Sequence, residues 1–157
     1  MRYLLQQRLV RIWKPTDITD ETGAVAFRTE LAESNTYAIY DAAGNGVAQV
    51  HQKPWQILGE TFVISCPNDD DVTMRKHFAP LHPRFDITLP DGVPLILTGN
   101  LSSHEFTLTR SGDTIATVSR SWSIVSRDTY GVEVAEGEAP PLVLGIVLAL
   151  ELAQERQ

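Results

Sequence analysis

Ser102, Ser103 and His104 stand in a row, bringing hydroxyls beside an imidazole as nucleophilic hydrolysis requires. That chemistry also needs a carboxylate to orient the imidazole and a strained turn to expose the serine. The chain has no G-x-S-x-G motif, and no particular Asp or Glu is marked as the third partner. The other histidines are His51, His77 and His82, and no two of the four have zinc-finger or H-E-x-x-H spacing. Cys66 is the single cysteine, so an intramolecular disulfide is impossible and no C-x-x-C pair exists. One unpaired cysteine fits a reducing compartment. Asn68, Asp69, Asp70 and Asp71 cluster carboxylates as calcium sites do, but lack the glycine and terminal glutamate of an EF-hand loop. They read as a solvated turn. No metal, cofactor or catalytic residue is expected.

Arg75, Lys76 and His77, with Lys53 and Arg84, form the one basic concentration. Brought together on neighbouring strands, Lys53, Arg75, Lys76 and Arg84 would hold a phosphate or a lipid head group. A charged strand face beside an acidic turn is the simpler reading of the same residues. Trp13, Trp55 and Trp122 read as barrel core or rim packing rather than a ligand cage.

The elements that must position these residues are mostly strands. Residues 36–53, 62–78, 85–101 and 106–122 each contain two alternating runs around a polar turn, and 17–30 repeats the device around Gly23. A period of two sends one face of each strand to a core and the other to water. GVAQVHQKPW (46–55) aligns with TIATVSRSW (114–122) after one insertion, as a duplicated sheet would. Alternating strands resemble each other without duplication, so both accounts stand. Pro, Gly, Asp and Asn sit singly in turns and no linker interrupts the chain, so one domain, residues 1–157, is expected.

The end of the chain differs. PPLVLGIVLALELAQERQ (140–157) carries no charge from Leu142 to Leu150. Its apolar stretch is far shorter than the ~20 residues that span a bilayer. LALELAQERQ is built from strong helix formers. As a helix it sets Gly145, Ala149 and Ala153 on one narrow face, with Leu, Val and Ile on the rest. A helix that is apolar all round must be enclosed. Many short antiparallel strands, whose edges need hiding, supply the enclosure by closing into a barrel. The expected fold is mainly β: a closed antiparallel barrel around a central hydrophobic C-terminal helix.

Composition narrows the function. The 157 residues are 43% hydrophobic and 21% charged, as in ordinary globular proteins, and carry a formal net charge of −7. Such a surface repels nucleic acid and anionic lipid unless a local basic patch overrides it. The N-terminal MRYLLQQRLVRIW has too short an apolar run for a secretory signal, so a cytoplasmic location is expected.

Five stretches in order carry a family resemblance. They are MRYLLQQRL, DITDETGAVAF, YAIYDAAGNGVAQVHQK, VSRSWSIVSRDTYGVEV and the closing apolar helix. The chain resembles the LURP-one-related family, whose fold is that of the tubby C-terminal domain and the phospholipid scramblases. The resemblance implies a barrel of about 12 strands around the C-terminal helix, consistent with barrel closure. Tubby-like domains bind phosphoinositides through a basic pocket, and none of its residues is matched in this chain. Scramblases add a Pro-rich extension, a palmitoylated cysteine cluster and an acidic calcium segment, which this sequence lacks. The resemblance therefore implies a non-enzymatic binding or scaffold module whose partner is a phospholipid surface or a protein. The rival expectations are an enzyme with a site at a barrel end and a carrier of a small ligand.

Overall fold

The computed structural model describes residues 1–7, 14–33, 35–53, 59–77, 84–122 and 128–155. Among these residues twelve strands precede one helix. The first six are β1 (Arg2–Gln6), β2 (Thr16–Asp20), β3 (Val25–Glu33), β4 (Thr36–Asp41), β5 (Gly46–Gln52) and β6 (Gly59–Ser65). Then follow β7 (Val72–His77), β8 (Arg84–Thr88), β9 (Pro94–Asn100), β10 (Glu105–Arg110), β11 (Asp113–Ser119) and β12 (Thr129–Val134). A 3-10 turn, Arg120–Trp122, follows β11, and α1 (Pro140–Glu155) ends the fold. Each strand lies antiparallel beside its sequence neighbours, and β1 closes the ring on β12.

Alternation explains why the ring has an inside. Ala48 and Val50 of β5, Val72 and Met74 of β7, and Val132 and Val134 of β12 are all buried. The inward faces meet α1, where Val143, Leu144, Ile146, Val147, Leu148, Ala149 and Leu150 are buried too. Pro140 and Pro141 start the helix without cost, because the first turn has no use for their missing N–H groups. Among the described residues no helix is long and apolar enough to cross a membrane.

The small face of α1 has a definite neighbour. A Cβ on Gly145 would come within 2.7 Å of Ile64 Cγ2 and 3.8 Å of Val50 Cγ2. The helix therefore leans on β5 and β6 at the position where it has no side chain. The two segments whose sequences align, in β5 and β11, lie on opposite sides of the ring, six strands apart. Their matching residues Ala48 and Val50, Ala116 and Val118 are all buried.

The two ends of the barrel differ. At the end where α1 enters, β2–β3, β4–β5, β6–β7, β8–β9 and β10–β11 are joined by short turns. The opposite end, where α1 finishes, carries the two longest connections, after β1 and β11, together with those after β3, β5, β7 and β9. Two seams are only partly zipped. Between β1 and β2 the register pairs are Tyr3↔Asp20 and Leu4↔Thr19. Between β8 and β9 they are Ile87↔Leu95 and Thr88↔Pro94.

Candidate functional site

Buried polar side chains collect where α1 ends. Lys76 is 4% exposed, and its Nζ donates to Ala153 O at 2.7 Å. The last carbonyls of a helix have no partner within it and sit at the negative end of its dipole. A buried ammonium answers both needs. Glu60 Oε1 lies 3.9 Å from the same Nζ, and Gln52 Nε2 donates to Glu60 Oε2 at 2.5 Å. Gln52, Glu60 and Lys76 come from the adjacent strands β5, β6 and β7. Each occupies the inward phase of its strand, two residues from Val50, Phe62 and Met74.

A second group lies around Glu151 of α1. Tyr130 Oη donates to Glu151 Oε1 at 2.8 Å, and His104 Nε2 lies 3.3 Å from the same oxygen. The His104 ring stacks on Tyr130 with centroids 4.4 Å apart. Burial, the Glu151 charge and its hydrogen bond raise the Tyr130 phenol well above its ordinary value. Tyr130 thus stays protonated and acts as a donor, not a base. His104 itself sits at φ 56, a left-handed conformation unusual for a side-chain-bearing residue. Gln52 Oε1, His104 Nδ1 and Glu151 Oε2 are buried without a hydrogen-bond partner among the described residues.

The hydrolase arrangement does not assemble among the described residues. His104 is turned to Glu151, while Ser102 Oγ donates to Asn100 Oδ1 at 2.8 Å and Ser103 Oγ to Asn100 O at 3.4 Å. Cys66 is half-buried, and burial with Asp69 and Asp71 pushes its thiol up, away from the reactive thiolate. No group of three or more metal-ligating side chains occurs among the described residues. His51 Nδ1 bonds to Thr36 Oγ1 at 2.8 Å on the outer face. His82, Trp13 and Trp55 lie outside the described residues. Trp122 packs over β12 at Gly131, where an added Cβ would meet Trp122 Cβ at 2.9 Å, and Arg2 stacks on its ring at 4.4 Å.

The four basic residues separate into three and one. Lys53, Arg75 and Arg84 are exposed. The Lys53 N–H bonds to Thr61 O, Thr61 pairs with Arg75 and Arg75 with Asp86, so the three share one outer face of β5 to β8. Arg84 is tied to Asp86 at 3.6 Å, and His77 to the same carboxylate at 2.7 Å. Lys76 departs from the expected surface patch. It follows Val72 and Met74 in phase and points into the barrel, where Ala153 and Glu60 hold it. The phase itself was the signal: a lysine on the apolar face of an alternating strand is an interior lysine.

Acidic residues gather at the end of the short turns, while the opposite end carries both signs, with Glu33, Asp86, Glu105 and Asp128 beside its basic residues. Asp20 and Glu21, Asp41, Asp69 to Asp71, Asp91, Asp113, and Glu136 and Glu138 stand at the short-turn end. Arg110, nearby, is spent on Glu138 at 2.6 Å. Lys14, Lys53, Arg84 and Arg120 are exposed at or beside the opposite end.

No curated protein and no solved structure matches the chain. A family model described as LURP-one-related matches residues 1–151, nearly the whole sequence and every strand of the barrel. On that match, with the ordered motifs and the enclosed helix, the chain belongs to the LURP-one-related family.

Proposed function

We propose that this protein is a non-enzymatic binding module with a barrel of the tubby-like class, working in the cytoplasm and meeting an anionic surface with one end. The observation that carries this reading is the crowding of acidic turns at one end of the barrel, away from the basic face. An acidic crown of turns repels anionic lipid, while Lys53, Arg75 and Arg84 share an outer face near the far end. The barrel would approach such a surface with the end where α1 finishes. Residues 8–13 and 123–127, outside the described set, add Arg8, Arg11 and Arg127 to the sequence between β1 and β2 and between β11 and β12. The buried polar groups support a role without chemistry, because Lys76 and Tyr130 serve α1 rather than face an open site.

The attraction is modest. Each basic side chain near an anionic membrane contributes about 1 kcal/mol and is screened within roughly 8–10 Å in ordinary salt. The net charge of −7 opposes it. Flotation with phosphatidylserine vesicles should show binding at low salt that fades near physiological salt. Changing Lys53, Arg75 and Arg84 together to Ser should remove it, with Lys76 left in place. Head-group-selective binding that resists salt and survives the triple change would end the assignment to this face.

A further inference from the structure

The β8–β9 seam is open for a structural reason. The hairpin is zipped beside its turn, with Leu89 N bonded to Val93 O at 3.0 Å, and its register pairs stop at Ile87↔Leu95. Continuing that register would set Asp86 opposite Ile96, Phe85 opposite Leu97 and Arg84 opposite Thr98. Those pairs are not made. β8 is held along its whole length by β7, from Thr73↔Thr88 to His77↔Arg84. β9 is held by β10, from Leu95↔Arg110 to Asn100↔Glu105. Gly99 lies at φ +120, and an added Cβ would stand 2.4 Å from Glu105 O, so the end of β9 is bent tightly onto β10. The Asp86 carboxylate is drawn the other way, to His77 of β7.

What remains is a groove of about 470 Å³ lined by Arg84–Thr88 and by residues 94–97. Its walls are two strand edges. Alternate residues of a strand direct their N–H and C=O groups to each neighbour, so edges without a partner strand present a row of donors and acceptors. Its floor is apolar: Phe85 and Leu97, the inward residues of the unzipped stretch, are only partly buried against the core. Ile96, at the lip, is 53% exposed.

We propose that this seam takes an extended peptide segment of a partner protein. Its main chain pairs with the edge of β9 that no described strand covers, and one apolar side chain seats between Phe85 and Leu97. The backbone walls select this occupant. A lipid chain or other apolar ligand would fill the floor but strand the edge donors and acceptors away from water, which is costly. An extended peptide satisfies both, since its polar main chain and alternating side chains match an edge and a slot together. The seam is a different site from the basic face proposed for anionic lipid, and peptide and vesicle binding are read separately.

The test uses the full isotope-labelled chain and a blocked peptide of alternating threonine and valine, roughly seven residues long as ordinary strands are. Its twin carries N-methyl groups on alternate amides, which removes the donors and keeps the side chains. Amide shifts should appear across residues 84–86 and 96–98, with slowed hydrogen exchange at Phe85 and Leu97, whose N–H groups face the seam, saturating below about 1 mM. The methylated twin should produce neither. Equal binding of the twin would overturn main-chain pairing. So would shifts elsewhere, or no shift at that concentration. Perturbation of the same amides by dodecanoate alone would replace the peptide with an apolar ligand, and by raised protein concentration alone with a second copy of the chain.

Discussion

The two ends of the barrel are held by different kinds of bond. At the short-turn end the turn carboxylates bond locally, while Arg110 crosses to Glu138. Asp20 accepts from the N–H of Thr22 at 2.8 Å and of Ala24 at 3.2 Å. Asp41 accepts from Ala43 at 3.0 Å and Asn45 at 2.9 Å, and Asp91 from Val93 at 2.9 Å. At the far end the contacts cross the fold: Lys76 reaches Ala153 over 77 residues of sequence, and His104 reaches Glu151 over 47. Local bonds close hairpins that alternation already favours. The distant bonds require α1 to lie inside the ring. The first end specifies strands, and the second fixes where the helix stops.

The largest way to break this arrangement is to remove α1. Without residues 140–157 the barrel lining has nothing to cover it, and an apolar surface of that size aggregates. The truncated chain should be insoluble or lose its near-UV circular dichroism. A monomer with an unchanged spectrum would rule out the enclosed helix.

Next comes the long-range end alone. Lys76→Met leaves Glu60 buried beside a neutral neighbour and strips the Ala153 carbonyl of its donor. Breaking one partner of a buried pair costs about 3–5 kcal/mol. Urea melts should show that loss, and adding Glu60→Gln should recover part of it, because the second change removes the stranded charge. A double variant no better than the single would mean that Lys76 acts through the helix end and not through Glu60.

Gly145→Leu tests the wall rather than the bonds. The new side chain begins 2.7 Å from Ile64 Cγ2, so Ile64 or α1 itself must shift. Overpacking of this kind costs typically 1–3 kcal/mol. An unchanged melting temperature would mean that α1 can shift freely in the barrel.

Much of this was legible in the sequence because the fold is local. Period-two runs and Gly- or Asp-bearing turns marked the hairpins, and the uniform apolar surface of α1 required a wall around it. The inward polar group was legible in principle. Gln52, Glu60, Lys76 and Tyr130 each continue the apolar phase of their strands, and Glu151 follows Leu144 and Leu148 along one stripe of α1. Reading Arg75, Lys76 and His77 as one charged run hid that phase. What no pattern could supply is the partner of each, since strand register and helix depth decide that Lys76 meets Ala153. The open β8–β9 seam was hidden for the same reason: Phe85 and Leu97 alternate as if paired, and only the bend at Gly99 draws β9 away.

The smallest expected effect belongs to the local end, and it carries a sign. Hydrogen bonds from the Asn45 backbone and side chain, with those of Ala43 and Gly44, hold the Asp41 carboxyl below its ordinary 3.8. A carboxylate whose folded value is depressed contributes stability that is fully present above its unfolded value. That stability is lost as pH falls through the folded one. Asp41→Ala should therefore lower the melting temperature slightly at neutral pH. The difference between variant and parent should shrink from near pH 4 downward and vanish once the parent's Asp41 is protonated. Asp20, held down first by its hydrogen bond with the Thr22 side chain, should behave alike, and the two losses should add because the turns share no partner. A constant gap across the acid range would mean that the carboxylate charge is irrelevant to these turns. A gap as large as that of Lys76→Met would dissolve the distinction between the two ends.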